Sequence, residues 1–150
     1  MTISTNKALL DACYQAKRAR ELLPALPKGV TSSYIQYLDT IETLERQGVR
    51  VKVSDISDVL HLPRPGVTRT VKEMEDKGYL QKSSSEEDGR VMYLTITEQG
   101  RKLSQTFNEQ FFAQLAPMLG DISDEDAACT IRTIQALYDV MAERRVTLVY

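Results

Sequence analysis

Residues 51–103 read VKVSDISDVLHLPRPGVTRTVKEMEDKGYLQKSSSEEDGRVMYLTITEQGRKL. The first three, Val51-Lys52-Val53, alternate apolar and polar side chains and predict a short strand. Ser54 is a favourable N-cap, so a first helix is expected over residues 55–60. His61 then stands where a tight turn between two helices needs a positive φ, which histidine adopts more readily than most residues. A helix and a tight turn are therefore expected to open this stretch.

A second helix is expected to begin near the prolines Pro63 and Pro65 and to run to Lys77. Proline is tolerated in the first turn of a helix, and Gly78 suits the position just after the last turn. Apolar residues spaced by four and three form one stripe that should face the core: Val67, Val71 and Met74. The opposite face is polar and basic: Pro65, Thr68, Arg69 and Lys72. The two helices form a predicted helix-turn-helix.

After the second helix the sequence period changes to two. Residues 80–83 and 91–96 predict an antiparallel pair of strands. The side chains expected on the buried face of the second strand are Met92, Leu94 and Ile96. Between the strands, Asp88-Gly89 is a pair that commonly supplies a positive φ at a hairpin tip. The helix-turn-helix is therefore expected to be followed by a β-hairpin, or wing.

Amphipathic helices are predicted on both sides of this stretch. One covers about residues 5–23, and another begins at Thr31 or Ser32 and ends before Gly48. Thr97 is an N-cap candidate for a long helix that Pro117 can kink in its last turn. The apolar stripe of that helix is Leu103, Phe107, Phe111, Leu115 and Met118.

The last helix is expected to be capped by Ser123 and to carry an apolar seam of the coiled-coil type. The seam consists of Ile131, Ile134, Tyr138 and Met141. These helices have more apolar surface than one small winged lobe can cover, which predicts a homodimer. The alternative is that the C-terminal helices pack only within their own chain.

The composition is that of an ordinary globular protein, with 150 residues, 42% hydrophobic and 27% charged. No apolar run is long enough to span a membrane and the N-terminus does not resemble a secretion signal, so a cytoplasmic protein is expected. The net charge of −2 argues against indiscriminate coating of nucleic acid, but not against a local basic docking face. One histidine, two cysteines and dispersed carboxylates offer no catalytic constellation, metal site or cofactor motif.

Five short motifs follow one another across about a third of the chain: Val53-Ser54-Asp55-Ile56, Arg64-Pro65-Gly66-Val67-Thr68-Arg69, Glu75-Asp76-Lys77-Gly78-Tyr79-Leu80, Asp88-Gly89-Arg90 and Leu94-Thr95-Ile96-Thr97-Glu98-Gln99-Gly100. In this order and spacing they resemble the MarR family of bacterial transcriptional regulators. The resemblance implies a mostly α fold with a small β-wing. A winged helix-turn-helix with its lead-in helix would cover about residues 31–100, flanked by dimerisation helices over about 1–30 and 101–150. It further implies a homodimeric repressor that binds double-stranded DNA at an inverted-repeat operator and is released by a small ligand.

The candidate DNA-binding residues follow from that resemblance and from the chemistry of the side chains. They are Arg64, Pro65, Gly66, Thr68, Arg69, Lys72, Lys82, Asp88 and Arg90. Arg69 suits bidentate contact with a guanine, and its alternative is an ion pair with Glu73, four residues on. Arg90, held by Asp88, would enter a minor groove, with an ordinary surface pair as the alternative. The acidic Glu86 and Glu87 depart from the more basic wings of the family and should weaken its hold on phosphates.

The sequence indicates two further candidate sites, a ligand pocket and a redox-sensing cysteine, and leaves an alternative for each. Tyr14, Tyr34 and Tyr37 lie where family members bind phenolic or other aromatic ligands, with core packing as the alternative. Cys13 lies beside the position at which some members sense peroxide, so the alternative reading is a redox-sensing regulator. Burial as a small core residue is the preferred interpretation of Cys13 and Cys129. A winged-helix protein–protein module that never contacts DNA is another alternative, which the net negative charge favours and the basic helix face opposes.

Overall fold

The computed structural model describes residues 1–149, and the chain divides into two compact units. The winged unit comprises residues 26–117. The terminal-helix unit comprises residues 1–25 and the chain from residue 118 onward. The mostly helical fold with a two-stranded wing that the sequence predicts is confirmed.

The winged unit contains most of the regular structure. Its elements are α2 (Ser32–Arg46), α3 (Val53–Leu60), α4 (Arg64–Asp76), β1 (Leu80–Ser84), β2 (Met92–Ile96), α5 (Glu98–Ser104), a π-helical segment (Gln105–Gln110) and α6 (Phe111–Leu115). A 3₁₀ turn, Ala116–Leu119, crosses the boundary between the units. The core is formed by the apolar faces of α2, α3 and α4 together with one face of the wing and Leu103 near the end of α5.

The first helix of the helix-turn-helix starts earlier than the sequence predicts, and the predicted strand at residues 51–53 is absent. Lys52 rather than Ser54 is the N-cap of α3, because the carboxylate of Asp55 accepts the Lys52 backbone N–H at 2.8 Å. Val51 is joined to the wing by a backbone hydrogen bond, in which the Leu94 N–H donates to the Val51 carbonyl at 2.8 Å. The local cap therefore prevails over the alternating pattern.

The turns around α4 have the geometry that the sequence predicts. His61 ends α3 with φ of 52°, and Gly78 follows α4 with φ of 79°. The N–H of Tyr79 then reaches back to the carbonyl of Met74 at 2.9 Å. Both turns are left-handed at one residue, which closes the helix ends and fixes the direction in which α4 leaves the core.

The wing is an antiparallel hairpin in which Leu80 pairs with Ile96 and Ser84 with Met92. Two expectations about it are wrong. Gly89 does not have a positive φ, because the tip closes through the carbonyl of Asp88, which accepts the Val91 N–H at 3.0 Å. Met92 is 41% exposed, since the apolar face loses its cover as the strands leave the core.

The long helix predicted after the wing is present, but it is not α-helical throughout. Thr97 caps α5 as expected, its hydroxyl accepting the Gly100 N–H at 3.1 Å. The α-helix ends at Ser104, and a π-helical turn follows. Within that turn Asn108 donates to the carbonyl of Ile35 in α2 at 3.2 Å and to the Ser104 hydroxyl at 2.9 Å. The π-helical turn is thus accompanied by contacts with α2, and the periodicity of the sequence cannot predict those contacts.

The terminal-helix unit consists chiefly of α1 (Ile3–Glu21) and α7 (Asp124–Glu143). Thr2 caps α1, and Ser123 caps α7 as predicted, its hydroxyl accepting the Asp126 N–H at 3.0 Å. Neither helix has a buried residue among those that the structure describes. Cys13 is half-buried and Cys129 is exposed, so the expectation that Cys129 lies in the core of its own chain is wrong.

Candidate nucleic-acid interface

Helix α4 presents two chemically distinct faces. Its apolar stripe of Val67, Val71 and Met74 is completely buried, as the spacing predicts. The opposite face is solvent-exposed at Arg64, Pro65, Thr68, Arg69 and Lys72, while Gly66 is half-buried. Because the core fixes one face, the other projects outward as a rigid basic surface, and we call it the recognition face.

Arg69 has no ion-pair partner among residues 1–149. The alternative that it pairs with Glu73 is not seen. One oxygen of the Glu73 carboxylate accepts a hydrogen bond from the hydroxyl of Tyr34 at 3.1 Å. Lys72 is 3.9 Å from Asp76, but both side chains are about two-thirds exposed. Such a pair is weak and can open when a phosphate approaches.

The start of α4 has the features of an anion-binding helix end. Pro63 is the N-cap, and no side chain among residues 1–149 caps the first turn. Pro65 lacks an N–H, so Arg64, with both a backbone N–H and an exposed guanidinium, is the residue best equipped to meet a phosphate there.

At the tip of the wing, Asp88 and Arg90 are in contact. The Asp88 carboxylate accepts the Arg90 backbone N–H at 3.0 Å and its Nε at 3.3 Å. The Arg90 side chain is nevertheless 94% exposed, so the rest of its guanidinium is available to a ligand. Glu86 and Glu87 are exposed in the same loop and reduce its positive potential.

Lys82 occupies a more constrained position than its place in the wing indicates. Its Nζ is 3.3 Å from the carboxylate of Glu75 on α4, and its side chain is only 24% exposed. The pair ties the first wing strand to the recognition helix. A DNA contact by Lys82 would require this pair to open, so its role on DNA stays a prediction.

The sequence reasoning missed two basic residues that link elements of the winged unit. Arg50 lies 3.9 Å from the centre of the Tyr93 ring and so contacts the second wing strand toward its tip end. Lys77 donates to the carbonyl of Gly29 and lies 5.1 Å from the centre of the Tyr34 ring. Both charges are visible in the sequence, but their partners are more than 40 residues away along the chain.

The three tyrosines predicted to line a ligand pocket have different environments. Tyr34 and Tyr37 are 1% and 3% exposed in the core of the winged unit, whereas Tyr14, in the other unit, is 62% exposed. A cavity of about 590 Å³ in the winged unit contains none of them. It is lined by Asp39, Glu42, Glu45, Arg46, Arg101, Asn108 and Glu109. Its excess of carboxylates makes it a poor receptor for an aromatic anion.

Residues 1–149 contain neither a metal-binding group of side chains nor a membrane-spanning helix. No group of histidine, cysteine and carboxylate side chains there could hold a metal ion. No helix in that part of the chain is long and apolar enough to cross a membrane.

Comparison with known sequences identifies relatives of this chain. A model of the MarR family matches residues 28–91. The uncharacterized HTH-type transcriptional regulator YwoH of Bacillus subtilis (strain 168) is 30% identical over 111 residues, which are 74% of this chain and 76% of YwoH. The transcriptional repressor MprA of Escherichia coli (strain K12) is 28% identical over 75 residues, 50% of this chain and 42% of MprA. Across the curated relatives that it matches, the chain spans from 42% to 76% of the relative's own length.

A solved structure shares the fold. FabT of Streptococcus pneumoniae, crystallised in complex with DNA, superposes with a TM-score of 0.68 at 21% identity, over 95% of this chain and 99% of FabT. The recognition helix and the wing of the structure, the sequence relatives and the motifs along residues 53–100 all indicate the same family. The chain therefore belongs to the MarR family of winged helix-turn-helix transcriptional regulators and not to a class of enzymes.

Proposed function

We propose that this protein is a cytoplasmic, homodimeric repressor that binds double-stranded DNA at an inverted-repeat operator. The observation that carries the proposal is the recognition face of α4, which is basic and exposed while the opposite face of the same helix is completely buried. Arg69 lies in its N-terminal half, the position from which a helix in the major groove reaches base edges, and it has no competing ion pair with any residue from 1 to 149. An apolar face would instead have favoured the protein–protein module.

Individual residues have distinct roles in this proposal. Arg69 reads a guanine, and Thr68 and Lys72 contact neighbouring bases or phosphates. Arg64 meets a phosphate through its free backbone amide and its guanidinium, with Pro65 and Gly66 beside it, since the N–H of Gly66 already donates to the carbonyl of Pro63. Arg90, oriented by Asp88, enters the flanking minor groove, where narrow A·T-rich segments concentrate negative potential. Lys82 supports the wing and reaches a phosphate once its pair with Glu75 opens.

The dimer would form through the terminal-helix unit. Neither α1 nor α7 has a fully buried residue in the single chain, and the predicted seam on α7 is exposed, with Ile131 at 69% and Tyr138 at 59%. Exposed apolar area of this extent is typical of an interface. A two-fold axis would place the two α4 helices in successive major grooves about 34 Å apart.

Release by a small aromatic or phenolic ligand is the proposed means of induction. A ligand that prefers a dimer with the wrong spacing of its recognition helices would lower operator affinity by its differential affinity alone. Tyr14, Tyr34 and Tyr37 stay the candidate contacts, and the burial of Tyr34 and Tyr37 means that the site would have to open first. Repression is supported by the relative MprA, which is a transcriptional repressor. The half-buried Cys13 keeps oxidation as an alternative signal.

Selection of the purified protein against a random duplex pool, at roughly physiological salt, tests the proposal. We expect enrichment of an inverted repeat whose half-site centres are about ten base pairs apart. Failure to enrich any sequence, by a preparation shown to be folded and free of bound ligand, would contradict operator binding and favour the protein–protein module. Peroxide treatment of the parent and of Cys13→Ser then distinguishes the redox alternative, because only the parent should lose binding.

A further inference from the structure

Tyr34 connects the core of the winged unit to the recognition helix. It lies near the start of α2, its ring is 1% exposed, and its hydroxyl donates to the Glu73 carboxylate on α4 at 3.1 Å. The ring is held in place by Tyr79, with ring centres 6.1 Å apart. Lys77 lies on the ring as well, 5.1 Å from its centre. The phenol is therefore a fixed donor aimed at one side chain of α4.

Glu73 is the natural helical partner of Arg69. Side chains four residues apart on a helix are neighbours, and an arginine and a glutamate at that spacing attract each other. Yet no Arg69–Glu73 pair exists among the residues that the structure describes. Glu73 is solvent-exposed, and its carboxylate accepts the hydrogen bond from the Tyr34 hydroxyl instead.

We propose that Tyr34 is a positioning residue for DNA recognition, because its hydroxyl holds the Glu73 carboxylate away from Arg69 and leaves the guanidinium free for a base. The inference rests on the proposed function, in which Arg69 is the base-reading residue. Lys77 is a competing cation four residues after Glu73, and one of the three N–H donors of its ammonium group is bonded to the carbonyl of Gly29 in the loop before α2. Without the phenol, the cations within helical reach of Glu73 are Arg69 and Lys77, four residues to either side, and of these Lys77 already has a partner in the carbonyl of Gly29.

Tyr34→Phe tests this role with the smallest change available. It removes one oxygen and keeps the ring that packs against Tyr79 and Lys77. An exposed helical ion pair changes an equilibrium by about a factor of two, so operator affinity should fall about twofold per recognition helix, or about fourfold for a dimer. The preference for the base that Arg69 reads should weaken by a similar factor, as measured with operators substituted at that base pair.

A second substitution separates positioning from support of the fold. Glu73→Gln removes the charge that would capture Arg69, so Tyr34→Phe/Glu73→Gln should regain the affinity and base preference of the parent. A packing defect caused by Tyr34→Phe would not be repaired in this way. Tyr79→Phe is the matched control, because it makes the same chemical change in the neighbouring ring, and it should leave both readouts unchanged.

Arg69→Ala completes the experiment. If Arg69→Ala weakens binding and Tyr34→Phe has no further effect in that background, Tyr34 acts through Arg69 as proposed. If Arg69→Ala weakens binding while Tyr34→Phe binds as the parent does, or if Glu73→Gln does not restore it, the inference about Tyr34 is wrong and the proposed function stands. If Arg69→Ala itself binds as the parent does, the proposed function fails at Arg69, and the role of Tyr34 fails with it.

Discussion

Arg69 and Lys72 are neighbours on the recognition face, but they should contribute differently to binding. Arg69→Ala should cost about 1–3 kcal/mol and relax the preference at one position of each half-site, because a bidentate contact to guanine is lost. Lys72→Ala should weaken all sequences alike, since a phosphate contact carries no sequence information. Affinities for a panel of single-base operator variants distinguish the two. Equal losses of preference in both variants would show that the face is rotated from the proposed orientation.

Gly100 is required by a close approach between two parts of the winged unit. A Cβ at this position would collide with the carbonyl oxygen of Tyr79 and with the side chain of Ile96. Gly100→Ala should therefore destabilise the fold by about 1–3 kcal/mol, the usual cost of overpacking a buried site. Gly66, on the helix α4, has open space around it and serves as the control. Gly66→Ala should raise stability by about 0.5–1 kcal/mol.

Urea unfolding of the two glycine variants gives these free energies. A fall in stability with Gly66→Ala, or none with Gly100→Ala, would contradict this account of the backbone contact.

Partners close in sequence were predictable, and distant ones were not. The contact of Asp88 with Arg90 spans two residues and follows from the local motif. The partner of Glu73 is different, because spacing alone points to Arg69 while the structure supplies Tyr34, which precedes it by 39 residues. Side-chain choice at such a position depends on which element packs against the helix, and no local pattern records that.

The same distinction applies to whole elements. The caps of α5 and α7 were predicted because Thr97 and Ser123 bond to amides within their own first turns. The π-helical turn was missed, since the hydrogen bonds of Asn108 and Ser104 that accompany it involve the distant helix α2. The predicted strand at residues 51–53 failed for a local reason: the Asp55 side chain starts α3 at Val53.

The wing as an element should bind DNA weakly because of its own carboxylates. Replacing both Glu86 and Glu87 by glutamine should strengthen non-specific binding and steepen its salt dependence, because more phosphate counterions are then displaced. Asp39→Asn/Glu109→Gln makes the same change in net charge away from the wing and controls for overall charge. Titrations at several salt concentrations give the slopes. A slope unchanged from that of the parent would mean that the wing stays off the DNA.

At the scale of the whole molecule, the two units have unequal internal support. The winged unit has a continuous core of completely buried side chains such as Leu38, Ile41 and Ile56. The terminal-helix unit has no buried residue in either of its long helices, and apolar residues such as Ile131 and Met141 are more than half exposed. Helices with that composition gain most of their stability from packing, so a second copy of the chain is the proposed partner.

Ile134→Glu tests that assembly. The residue lies in the middle of the predicted seam on α7 and is 42% exposed in the single chain. In a symmetric interface the substitution would bury two unpaired charges. A tenfold weaker dimer corresponds to about 1.4 kcal/mol, and burying the two charges should cost more than this. Sedimentation should show a monomer where the parent is a dimer. Gln135→Lys is the control, since it places a charge at the next position beside Asp139, with which Gln135 already makes a hydrogen bond.

DNA binding by the Ile134→Glu variant then distinguishes two consequences of losing the dimer. The winged unit has its own core, so the variant should keep its fold. Its affinity for DNA with a single half-site should equal that of the parent for the same DNA. Affinity for the inverted repeat should fall at least about tenfold, because the second recognition helix is no longer tethered near its half-site. A monomer that still bound the full repeat as tightly as the parent would contradict two-fold recognition. A variant that stayed dimeric would place the interface elsewhere than on the α7 seam.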